Sequence, residues 1–268
     1  MRAFRPIAML AVLATPLLLG ATGCSSNMRP FRHFGDKTAH DPALEFDTAG
    51  PIGVDVEILA GDVAVMVDEE LTTTRVTLTR RASHGWGRDN EAKGSLDEIQ
   101  TSAEMVPGSL GPVLQVRAST LHAEPYYQAV DVEIRTPDVE GVRIHTSEGN
   151  VIVRGGAGRV DIQTRDGDVR VMTERPMTDS VRIINDYGNV DYRVRGESTG
   201  AFDVQAFHGT VQQRVDYGQF RVYQGTDQST LRATLNNGTN PVVLRAANGD
   251  VRFAVVKNPE QVGAFILD

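Results

Sequence analysis

The chain has 268 residues, 40% hydrophobic and 23% charged, which is ordinary for a globular protein with a sizeable core. Its formal charge is −8, from 27 lysines and arginines against 35 acids, which excludes nucleic acid as a partner and broad attraction to anionic lipid. The single cysteine excludes an intramolecular disulfide and any cysteine-rich metal site.

Residues 1–23 read as a secretory signal peptide. Arg2 and Arg5 form its basic start, and Ile7 to Leu19 is an apolar run short of the roughly 20 residues that a membrane helix needs. Ala21-Thr22-Gly23-Cys24 falls where cleavage would occur. With Ser25-Ser26 behind it, this segment resembles the bacterial lipobox, although Ala21 stands where that motif usually has Leu. The resemblance implies lipidation of Cys24 with diacylglycerol and an acyl chain such as palmitate. The membrane is then a partner, and the expected address is the bacterial cell envelope, at the outer membrane. The alternative is ordinary cleavage that leaves a free thiol. Loss of Arg2 and Arg5 would take the charge from −8 to −10. Residues 24–45 are polar and without apolar period, and they read as a flexible tether. Arg29, Arg32 and Lys37 offer a second reading, a basic segment against lipid headgroups.

Residues 46–268 read as a single β domain, more irregular over 46–140 and repetitive over 141–255. Val54, Val56 and Ile58 alternate with polar residues, as do Val63, Val65 and Val67 after the turn Gly61-Asp62. Period two with one apolar face predicts half-buried strands. Residues 82–112 interrupt the pattern with glycines and prolines, and 88–104 is the best helix candidate. Trp86, the only tryptophan, is read either as packing under this loop or as a contact aromatic for a sugar or partner. Strands resume at Val113–Val116 and from Val130 to Ile134.

A repeat follows. Val142-x-Ile144 leads through Ser147-Glu148-Gly149-Asn150 into Val151-x-Val153. The same unit returns around Gly167, Gly188, Gly209 and Gly249. The first four glycines are 18, 21 and 21 residues apart, about 20 residues per rung. Each unit alone exposes an apolar face that stacking would bury. The fold expected is all-β, a β-solenoid-like stack of short strands, with a β-sandwich of hairpins as the alternative. Residues 215–245 blur the period around Asn236-Asn237-Gly238 and Pro241. The unit, together with Gly61-Asp62-Val63-x-Val65, resembles the bacterial "putative adhesin" domain family over about 50–255. That resemblance implies a β-solenoid-like domain on envelope proteins and defines no functional residues.

Glu148, Asp166, Asp168, Asp186 and Asp250 recur in the turns. A ladder of carboxylates would suit calcium or glycan cleavage. The plainer reading is that Asp and Asn belong in glycine turns for backbone reasons and face water. His145 and His208 read as surface histidines with two rungs between them. Arg143, Asp161, Arg170, Arg182, Asp191 and Arg193 point outward and read as a solvated face. Tyr187, Tyr192, Phe207, Tyr217 and Tyr223 would enrich such a face or belong to core and rim. No catalytic motif is present. The expectation is therefore a non-catalytic module without cofactor or metal, binding a glycan, matrix or another envelope protein. A periplasm-facing scaffold and a polysaccharide-active β-helix enzyme are the alternatives.

Overall fold

A computed structural model describes residues 36–48, 50–120, 127–223 and 226–261. These residues belong to one unit, His33–Asp268. The signal and Cys24 lie outside the described residues.

Alternating valines become strands because β-branched side chains fit a pleated surface with one face buried. In chain order the elements are β1 (Asp36–His40), β2 (Leu44–Asp47), β3 (Ile52–Glu57), β4 (Val63–Val67), β5 (Thr73–Ser83) and α1 (Asp89–Glu98). Then come β6 (Gln100–Pro107), β7 (Pro112–Ser119), β8 (Gln128–Thr136), β9 (Val139–Glu148), β10 (Val151–Arg154), β11 (Ala157–Asp166) and β12 (Val169–Met172). They are followed by β13 (Val181–Tyr187), β14 (Val190–Val194), β15 (Gly200–Ala206), β16 (Val211–Val215), β17 (Phe220–Val222), β18 (Thr230–Leu235), β19 (Pro241–Asn248) and β20 (Val251–Val255).

Each rung contributes one leg to each of two sheets. The first-leg sheet runs β17-β18-β15-β19-β13-β11-β9-β3-β7-β6. The second-leg sheet runs β1-β5-β8-β4-β10-β12-β14-β20-β16, with β2 also on β5. Corresponding legs pair in parallel from rung to rung. The two legs around a glycine turn lie in different sheets, so they are not hairpins. The solenoid-like reading holds and the hairpin sandwich does not.

The order of the stack departs from the order of the sequence. β7/β8 lies outside β3/β4, and β19/β20 is inserted between β13/β14 and β15/β16. Gly209 and Gly249 are 40 residues apart in the sequence, about two periods. In space those glycines are neighbours, with Gly249 on the inner side. Antiparallel strands close both ends: β6 on β7 and β5 on β8 at one, and β18 on β15 at the other. Within residues 215–245, blurred in sequence, β17 and β18 supply that second cap and β19 begins the inserted rung.

Two elements differ from the sequence reading. The tether expected over 24–45 gives way to strand at Asp36, where β1 pairs with β5 from Asp36↔Ser83 to His40↔Thr79. β1 lacks alternation because it is held by backbone pairing at a sheet edge rather than by a buried face. The helix candidate 88–104 is helical only as α1, and Gln100 onward is β6. The rung β3/β4, within the part read as irregular, pairs in parallel with β9/β10, with one register shift between Ile52 and Val54 on the first leg.

The core is narrow and built from ladders. Val132, Val63, Val151, Val169, Val190, Val251 and Val211 stack in register through the second-leg sheet. Val56, Ile144, Ile162, Ile183, Leu244 and Val204 do so opposite them, all essentially fully buried. Full burial of such a side chain is worth roughly 1.5–3 kcal/mol. At the far end Phe202, Phe220 and Phe253 fill the space, with ring centroids 5.0–6.1 Å apart.

Candidate functional site

The glycine corner accounts for the turn acids. Gly167 has φ +118°, and a Cβ there would lie 2.2 Å from the carbonyl oxygen of Gly149. The same approach repeats along the corner, each glycine lying against the carbonyl of the rung below. The residue after each glycine continues the ladder. Asp62 Oδ1 accepts the Asn150 amide at 2.8 Å, and Asn150 Oδ1 accepts that of Asp168 at 3.0 Å. Asp168 Oδ1 accepts from Asn189 at 2.8 Å, and Asn189 Oδ1 from Asp250 at 3.0 Å. Asp250 Oδ1 accepts from Thr210 at 2.9 Å. Asp168 and Asp250 therefore bind neighbouring rungs rather than their own turns.

The remaining turn acids do not converge. Glu148 sits beside Asp166 in register and pairs with Arg165 at 2.9 Å, and Asp186 lies on the next rung. Among the described residues no group of three or more His, Cys, Asp or Glu is placed to hold a metal.

The outward positions divide between the sheets. Asp191 and Arg193 face outward on β14 yet are buried, their side chains each 8% exposed. Arg193 donates to both Asp191 oxygens at 2.8 and 2.6 Å, and Arg170 lies 3.4 Å from Asp191. The expectation of a solvated face fails for this pair. Its physical reason is that residues i and i+2 of a strand share a face, where a bidentate arginine–carboxylate bond satisfies both charges. Tyr192, between them, faces the core, and burial pushes its phenol far up from its usual pKa. Tyr187, Phe207, Tyr217 and Tyr223 are exposed.

Arg143, Asp161 and Arg182 lie on the outer face of the first-leg sheet. There the register aligns Gln115, Asp55, Arg143, Asp161, Arg182, Val243, Asp203 and Arg232, a row of alternating charge. Arg117 holds Asp55 at 2.8 Å and Arg182 holds Asp161 at 3.2 Å. The adjacent row is Arg117, Glu57, His145, Gln163, Ile184 and Arg245. Two shallow depressions, of about 670 and 580 Å³, lie along this face and share His145 and Gln163.

His145 is half-buried rather than a plain surface residue, and its Nε2 is shielded from water with no hydrogen-bond partner. His208 is exposed and follows β15, with three strands, β11, β13 and β19, between it and β9 rather than two rungs. Sequence reasoning placed Arg143, Asp161 and Arg182 outward. It missed Asp55, Gln163 and the role of His145, whose only signal was position on alternate residues of neighbouring strands. No helix among the described residues is long and apolar enough to cross a membrane.

No curated protein matches the chain. Among solved structures it is similar to a "putative cell adhesion protein" from Clostridium sporogenes, at 10% identity and TM-score 0.55, covering 82% of this chain and all of that one. A "putative adhesin" from Bacteroides fragilis aligns over 82% of this chain and 97% of its own, at 8% identity and TM-score 0.36. A "putative lipid binding protein" from Parabacteroides distasonis aligns over 84% and 95%, at 8% identity and TM-score 0.23. The last two scores are too low to count as the same fold. The Toastrack DUF4097 family model matches residues 113–253, more than half of the chain, and the chain belongs to that family.

Proposed function

We propose that this protein is a non-catalytic binding module of the bacterial cell envelope, held at the outer membrane by lipid on Cys24. It presents the outer face of the first-leg sheet to an extended partner, a glycan, a matrix polymer or a strand of another envelope protein. The observation that carries this reading is the pair of depressions meeting at His145 and Gln163, flanked by a row of alternating charge. An extended polymer crossing the rungs would meet a donor or acceptor every 4.8 Å or so, the spacing of neighbouring strands. The Gln163 amide, beside Asp161 at 3.5 Å, is the group to recognise a hydroxyl or peptide. Of the acids on the face, Asp55 and Asp161 are engaged by arginines, which suits a binding role. The likeness to a cell adhesion protein is a likeness of fold, and it fits a binding role without naming the ligand. The anchor rests on the lipobox resemblance at Ala21-Thr22-Gly23-Cys24.

The test has two parts. Protease shaving of intact cells, with a periplasmic control kept whole, reads which side of the envelope the domain occupies. Cleavage supports an outward-facing adhesin-like role. Protection until the envelope is opened removes it and leaves a periplasm-facing scaffold. A photo-crosslinker at position 147, where Ser147 lines the first depression, then captures the partner in cells. Capture abolished by Arg143→Glu supports the face, and capture unchanged by it rejects the face.

A further inference from the structure

Trp86 is 86% exposed. Tryptophan is rarely left in water, because burying its large ring is favourable. Here the loop Gly85-Trp86-Gly87 holds it out, with φ +81° and +76° at the two glycines, and nothing packs within 4 Å of where their Cβ atoms would be. The packing role expected for it from the sequence is not what the fold gives it.

Its position is specific. Asp36, where the described chain begins, pairs with Ser83, three residues before Trp86. Lys37 reaches Asp89 at 3.2 Å, three residues after it. Trp86 thus stands where the N-terminal segment enters the domain. Cys24 is twelve residues upstream of Asp36, a separation that no chain conformation stretches beyond about 43 Å. Leu110, 93% exposed at the β6–β7 turn, and Leu44, 39% exposed on β2, lie at the same end of the stack. The acids of α1, Asp89, Glu91, Asp97 and Glu98, are met by Lys37, Arg88 and Lys93, with Lys37 on Asp89 and Arg88 on Glu91, so this end carries no basic patch to hold an anionic surface. An indole seeks the zwitterionic headgroup zone, where an apolar ring with a polar N–H is best placed.

We infer that Trp86 inserts into the interface of a zwitterionic membrane and sets the end of the stack that faces it. This rests on the lipid anchor proposed at Cys24. Trp86 is the only tryptophan, so all tryptophan emission of the protein reports this one site. Full-length protein is reconstituted into phosphatidylcholine–phosphatidylethanolamine vesicles, and Cys24→Ser protein in buffer serves as the hydrated reference. The expected result is a blue-shifted emission that brominated lipids quench and iodide does not. Emission that stays at the hydrated position and remains open to iodide overturns the inference. A response to soluble peptidoglycan fragments but not to vesicles also overturns it, in favour of a sugar-stacking residue. Mass spectrometry of the N-terminal peptide scores the anchor separately. Acylated Cys24 with hydrated Trp86 sinks the inference alone. An unacylated chain sinks the anchor, and its emission with added vesicles still decides the inference.

Discussion

Gly167 and Gly94 show how differently one methyl group acts at two places. At Gly167 a Cβ would strike the Gly149 carbonyl on a positive-φ backbone, so Gly167→Ala is expected to cost roughly 3–5 kcal/mol from strain and overpacking together. At Gly94, on the exposed side of α1 with open space around it, Ala should add about 0.5–1 kcal/mol. Urea midpoints of the two variants would move in opposite directions. Asn150 sits between Asp62 and Asp168, giving Nδ2–H to the first and accepting the amide of the second. Asn150→Asp changes one atom, loses that donor and sets three carboxylates in a row, at an expected cost of about 1–3 kcal/mol. Its melting temperature should fall. Asn150→Thr should fall less, because a threonine hydroxyl donates to the preceding carboxylate as Thr210 does to Asp250. Glu260 gives the pH prediction. Burial raises its carboxyl pKa, offset in part by Arg154 at 3.6 Å. A raised value in the folded chain adds stability below the unfolded value of about 4.3, and that stability is lost as pH rises through the folded value. Glu260→Gln should therefore melt at or above the parent at neutral pH and show a flatter pH profile. The turn glycines were legible in the sequence because backbone contact admits no other residue there. The Asx positions were legible as turn residues only, since a side chain's partner one rung away leaves no mark on its own turn.

At the scale of the element, β14 and β1 mark the limits of pattern reading. The alternation of Val190, Tyr192 and Val194 identified β14, but Asp191 and Arg193 between them looked like any solvated pair. Burial of that pair comes from tertiary packing that the strand's own residues do not announce. Asp191→Ala should cost roughly 3–5 kcal/mol by leaving Arg193 buried without its carboxylate, whereas the double change Asp191→Leu with Arg193→Met should recover most of it. Equilibrium unfolding of the single and double variants checks this. β1 was invisible for the opposite reason. Its sequence carries no apolar face, and its pairing with β5 uses backbone groups that every residue shares. Trp86 was ambiguous because an aromatic in a glycine loop has the same sequence whether it packs or projects.

For the whole molecule, the rungs were legible and their order was not. Val190 pairs with Val251, yet the same valine would fit Val211 equally well, so register chemistry cannot tell which rung comes next. The order is decided by connections, with β17 and β18 turning the chain back so that β19/β20 enters between two rungs already made. A solenoid stacked in chain order would lose only its last rung on truncation. Here removal of residues 241–268 takes away the strands that join β15/β16 to the rest, and the expected result is loss of cooperative unfolding for the remaining chain, read by circular dichroism.

The same insertion sets a timetable for a chain delivered from its N-terminus. β15 to β18 emerge before the rung that must separate them from β13/β14, and they expose the ladder positions of Phe202 and Val204 meanwhile. A threaded chain therefore cannot close its fold until its final strands have arrived. Entry of β19/β20 is thus the step on which closure of the stack waits.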